Sequence, residues 1–209
     1  MKILKYALIF VLGVILATAM MFLELPFWFI YVSVVIIYLL LLVAPQMYIV
    51  YKSKDLNKIE NYLEKNRRKP IFVYPLALKT GDQEQIVRSI EEILKRYKQP
   101  YMQEVYKTIL TLFEGNVSKL EHQAKQISKE PLRTYYIAYA AALKGNYDEA
   151  NTLKEQLPKE WMNHAIAAVI AKEQGNMELF DIEANKCIEL ATGVQRYGLY
   201  YSLQLDIFK

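Results

Sequence analysis

The chain predicts an all-α protein in two parts, a pair of membrane-length apolar helices followed by a stack of helix pairs. Three observations carry this expectation. Two charge-free stretches, Tyr6 to Leu23 and Phe27 to Tyr51, fill most of the first quarter of the 209 residues. A turn signal then recurs four times, as Thr80-Gly81-Asp82, Glu114-Gly115-Asn116, Lys144-Gly145-Asn146 and Gln174-Gly175-Asn176, with glycines 34, 30 and 30 residues apart. That spacing is the period of a stacked helix-turn-helix repeat. Finally, Pro100, Pro131 and Pro158 fall between one expected helix pair and the next, where a residue without an N–H interrupts a helix.

The apolar stretches are 18 and 25 residues long and are separated only by Glu24, Leu25 and Pro26. Both lengths suffice to cross a hydrocarbon core, so residues 1–52 read as a transmembrane hairpin with spans at about 6–23 and 27–51. Lys2 and Lys5 precede the first span, the hairpin loop has no cation, and Lys52, Lys54, Lys58, Lys65, Arg67, Arg68 and Lys69 follow the second. Positive charge stays on the cytoplasmic side, which makes a two-span cell-membrane protein with its N-terminus and its C-terminal domain in the cytoplasm. Ala17-Thr18-Ala19 also resembles a signal-peptidase site. The apolar run continues through Met20 to Leu23, where a cleavage region turns polar, so an uncleaved anchor is the expectation.

Residues 53–66 form a short juxtamembrane helix, with Leu56, Ile59, Tyr62 and Leu63 on one face. Helix pairs are expected over 70–80 with 83–97, 101–114 with 117–129, 132–144 with 147–157, and 160–174 with 177–191. A final segment from Val194 to Phe208, within residues 192–209, closes the array. Each turn glycine, Gly81, Gly115, Gly145 and Gly175, can take the left-handed conformation that ends a helix, and the Asp or Asn after it can cap the next. One helix pair cannot bury its apolar face alone, whereas stacked neighbours bury a continuous core.

The third unit carries a family resemblance. Tyr136-Ile137-Ala138-Tyr139-Ala140-Ala141-Ala142-Leu143 leads into Gly145-Asn146-Tyr147-Asp148-Glu149-Ala150, with small residues at Ala138 and Ala150. Residues 67–191 thus resemble the tetratricopeptide repeat family, in the form of a bacterial membrane-anchored protein. The other units keep the pattern less fully: Ile86, Leu120 and Phe180 stand where Ala150 does, and Tyr74 and Thr108 where Ala138 does. The resemblance implies an α-solenoid of about four helix pairs plus a C-terminal capping helix. It also implies a concave groove for a protein or peptide partner, lined by Tyr106, Ile109, Tyr135, Tyr136, Tyr139 and Ile166 among others. Apolar positions three or four apart on a helix equally suit a core, so these residues are either groove or inter-helix core. The Lys, Arg and Asn set that clamps a C-terminal carboxylate in some family members is missing from these positions.

No catalytic constellation is expected. His122 and His164 stand outside any H-E-x-x-H pattern, Glu91 and Glu92 are helix neighbours that point apart, and no phosphate loop or nucleophile elbow occurs. Cys187, the only cysteine, excludes an intramolecular disulfide and a cysteine-based metal site. The net charge of +4 is modest, and the basic run Lys65, Arg67, Arg68 and Lys69 has no aromatic residue interleaved, which disfavours a nucleic-acid groove. No cofactor, metal or nucleic acid is expected; the bilayer and a protein partner are. The functions in view are a membrane-anchored interaction scaffold or adaptor, a structural subunit acting through its hairpin, or a peptide-sensing regulatory solenoid.

Overall fold

The computed structural model describes residues 2–204, with side chains from Ala7 to Leu203 apart from Leu8. The last residues of the expected segment Val194 to Phe208 lie outside this range. Among the described residues there are twelve α-helices and no strand. Residues Met1–Lys52 and Ser53–Lys209 form two compact units.

In the first unit α1 (Lys2–Phe22) packs against α2 (Phe27–Tyr51). Glu24 takes a left-handed φ of 53° at the end of α1, its N–H donating to the Met21 carbonyl while Leu25 N–H donates to that of Met20. A side chain in this region costs roughly 1–2 kcal/mol relative to glycine, and here the conformation reverses the chain ahead of Pro26. The close approach comes at Gly13, where a Cβ would collide with the Tyr38 hydroxyl. Tyr38 Oη donates to the Phe10 carbonyl at 3.3 Å. Ile9 and Ile30 are buried in this pair, whereas Trp28, Ile36, Leu39 and Leu40 are exposed. By length and composition α2 is the one described helix able to cross a membrane, since the described apolar part of α1, Ile9–Phe22, is shorter.

The second unit contains α3 (Leu56–Lys65), α4 (Pro70–Thr80), α5 (Gln83–Arg96), α6 (Pro100–Phe113), α7 (Val117–Lys125), α8 (Leu132–Leu143), α9 (Tyr147–Glu155), α10 (Glu160–Glu173), α11 (Met177–Leu190) and α12 (Gly193–Gln204). Each helix from α3 to α11 packs on its successor. Two apolar clusters form the core. One gathers Ala77, Leu78, Ile86, Ile90, Val105 and Ile109, and the other is built mainly from α8, α10 and α11. Ala138, Ala150, Ala168 and Ala171 are fully buried, and side chains this small let neighbouring helices come close.

The four turn glycines have φ between 68° and 79°. At the third and fourth turns the backbone explains the choice of residue. Gly145 N–H donates to Ala142 O and Asn146 N–H to Ala141 O, and Gly175 and Asn176 repeat this on Lys172 and Ala171. This pair of bonds closes the last helical turn and requires the left-handed residue between them. Asp82, Asn116 and Asn176 then cap α5, α7 and α11 through their side chains, whereas Asn146 makes no such bond to α9.

Helix α7 ends four residues short of the expected 129. The carboxylate of Glu104 on α6 accepts from both the N–H and the hydroxyl of Ser128, at 2.8 and 2.7 Å, and these bonds hold its pKa below the ordinary value. A charged acceptor competing for these donors draws the chain out of the helix, and Ile127 is buried beside the α4–α6 cluster.

Glu121 on α7 accepts from Lys125 at 2.5 Å and from Lys144 at the end of α8. The bond to Lys125 first, then that to Lys144, brings its carboxyl from 4.5 down to about 2. A depressed carboxyl pKa adds stability that is full above 4.5 and disappears as the pH falls through about 2. Glu121→Gln should therefore lower stability at pH 7 by about 1 kcal/mol, a value held down by solvent screening. Thermal melts across that range should show the gap between the two proteins narrowing as the pH falls; a constant gap would exclude this pairing as its source.

Candidate functional site

Of the six expected groove residues, Ile109, Tyr135, Tyr139 and Ile166 are buried, and Tyr106 and Tyr136 are half-buried. Their rings pack on one another and on neighbouring helices. Tyr135 lies 5.1 Å from Tyr136 and 5.7 Å from Trp161 between ring centres, and Tyr106 lies 6.1 Å from Tyr74. Loss of water pushes the Tyr106 hydroxyl up to about 12 and moves Tyr135 and Tyr136 upward too. These phenols stay neutral near pH 7 and contribute through the packing of their rings.

Helix α12 sits against this part of the molecule. Beyond α11 it packs on α3 and α4, at the opposite end of the chain order. Tyr197 is fully buried, and its hydroxyl donates to Glu60 of α3 at 3.2 Å. The same carboxylate takes Lys79 of α4 at 2.6 Å, and Lys79 lies over the ring of Tyr201. Gly193 N–H donates to Ser53 O at 2.7 Å. Arg196 donates to the carbonyls of Ile188 and Glu189, which places a cation at the negative end of α11. Farther along, Ser202 and Leu203 close over Tyr139, Leu143, Val169 and Phe180, leaving a gap of about 20 Å³, room for about one water molecule. The sequence marks α12 as a helix, but no local signal tells that it bridges α11 to α3 and α4.

The second unit has two further surface features. In the second unit, the exposed large apolar side chains among the described residues are Met177, Leu179, Ile182 and Leu190, all on α11. Leu179, Ile182 and Leu190 share one stripe of that helix, by its 3.6-residue period. A cleft of about 720 Å³ opens among α3, α4 and α5.

His164 meets Glu183 of α11 at 2.5 Å, and Lys186 meets the same carboxylate at 3.3 Å. Burial works to raise the Glu183 pKa, but these two partners outweigh it and the net shift is downward. This group ties α10 to α11. Cys187 is buried, and desolvation pushes its thiol up to about 12, which suppresses the reactive thiolate. Among the described residues no three His, Cys, Asp or Glu side chains are gathered as a metal ion would require. No protein-family model, curated protein or solved structure matches this chain.

Proposed function

We propose that the chain is a membrane-anchored adaptor, in which α1 and α2 span the membrane as a hairpin and the following unit is a tetratricopeptide-like solenoid that binds protein partners in the cytoplasm. The observation that carries this reading is the succession of four helix pairs, each turned at a left-handed glycine and following an exposed apolar helix long enough to cross a membrane. Helix pairs stacked in chain order make extended surfaces suited to binding, and tethering raises their effective concentration near other membrane proteins. The lysines and arginines after Tyr51 support the cytoplasmic orientation. With most of the tyrosine-rich positions buried, the stripe of Leu179, Ile182 and Leu190 on α11 is the surface offered to a partner, since grouped exposed apolar side chains mark association sites.

The test is photo-crosslinking in intact membranes from Ile182, with Lys95 on α5 as the control position and a cytoplasm-only fluorescent reporter after Lys209. A discrete protein adduct from Ile182, weakened by Leu179→Ser and missing from Lys95, is expected in bright cells. Equal adducts at the two positions would remove the α11 surface, and a dark reporter would overturn the orientation.

A further inference from the structure

The cleft among α3, α4 and α5 lies within the second unit and has two unlike sides. Val73, Leu76 and Ala77 of α4 form an apolar wall, and charged side chains of α3, α5 and the α3–α4 turn form the rim. Most of the rim is internally neutralised. Glu60 takes Lys79 at 2.6 Å, Glu64 takes Arg67 at 3.8 Å, and Glu92 takes Lys95 at 3.9 Å. Arg68 and Arg88 have no carboxylate partner among the described residues, and both are exposed at the cleft. The turn bearing Arg68 is held by Arg96, whose Nη1 donates to the Arg68 carbonyl at 3.1 Å.

We infer that this cleft binds an anionic phospholipid, with the phosphate between Arg68 and Arg88 and an acyl chain against Val73, Leu76 and Ala77. Guanidinium groups present paired donors that match phosphate oxygens. The apolar wall matches hydrocarbon rather than the polar backbone of an acidic peptide. A volume of about 720 Å³ falls within the range of small-molecule sites. Lys65 ends α3 just before this turn and Lys69 ends the turn itself, and basic side chains grouped near a membrane attract anionic headgroups. The lipid as the source of the phosphate rests on the membrane reading of α2, whereas binding itself can be measured without a membrane.

The full chain in neutral detergent is titrated with dioctanoyl phosphatidic acid, dioctanoyl phosphatidylcholine and inorganic phosphate, and bound ligand is read by native mass spectrometry. Phosphatidic acid should bind best, and Arg68→Ala with Arg88→Ala should weaken it about tenfold or more, as expected for lost bonds to a charged group. Lys107→Ala with Lys159→Ala, two exposed cations outside the cleft, should leave it unchanged. Leu76→Asp should weaken phosphatidic acid while retaining the helical circular dichroism of the parent. Equal binding of phosphatidylcholine, unchanged affinity in the arginine variant, or inorganic phosphate bound as tightly as the lipid would each overturn the assignment. Loss of membrane anchoring in cells with lipid selectivity intact would instead count only against the anchor.

Discussion

Tyr197→Ala is expected to destabilise the protein by about 3–5 kcal/mol, the range for truncating a large buried aromatic side chain. Tyr197 is fully buried, its ring centre lies 4.8 Å from that of Tyr201, and its hydroxyl reaches Glu60 from 137 residues away in the chain. The substitution opens a cavity and removes a donor from Glu60, which keeps Lys79. Tyr197→Phe separates the two contributions, since it keeps the ring and loses only a hydrogen bond worth about 1–3 kcal/mol to a charged acceptor. Melting of the full chain in detergent should fall by roughly 2–4 °C for each kcal/mol lost. Limited proteolysis should then cut first within α12, because it loses its hold on α3 and α4 while Arg196 still ties its start to α11. An alanine variant that melts like the parent would mean that this side chain does not hold α12 in place.

Paired arginines in the middle of α2 should have the larger effect. Ile36 and Leu39 are exposed in the α1–α2 unit, so substituting them breaks no buried contact there. Each arginine at the centre of a spanning helix costs about 2.5–3.5 kcal/mol on the insertion scale, so Ile36→Arg with Leu39→Arg opposes insertion by roughly 6 kcal/mol. The double variant should leave the carbonate-resistant membrane fraction and appear as soluble or aggregated protein. Full retention in that fraction would reject α2 as a membrane span.

The two units differ in how openly the sequence declares them. Apolar length, turn glycines and junction prolines are local properties, and helices expected at 70–80, 83–97 and 177–191 lie at Pro70–Thr80, Gln83–Arg96 and Met177–Leu190. Where a distant residue intervenes, the local reading drifts. Glu104 takes Ser128 and ends α7 early, and Asn146, placed like the other capping residues, makes no side-chain cap. The tyrosines at 106, 135, 136 and 139 fitted both a groove and a core because helical periodicity is the same for either.

By itself, then, the sequence determined that the chain is helical and where its helices turn, because backbone conformation and hydrophobic length depend on residues close in the chain; of the two spans it suggested, only α2 among the described helices has the length and composition to cross a membrane. Only the tertiary structure decided that α12 reaches back to α3 and α4, that most of the tyrosine-rich positions are closed off and that Arg68 and Arg88 flank an apolar cleft. Those outcomes depend on which side chains meet across long separations, and a buried hydroxyl such as that of Tyr197 finds its acceptor only once the intervening helices have packed.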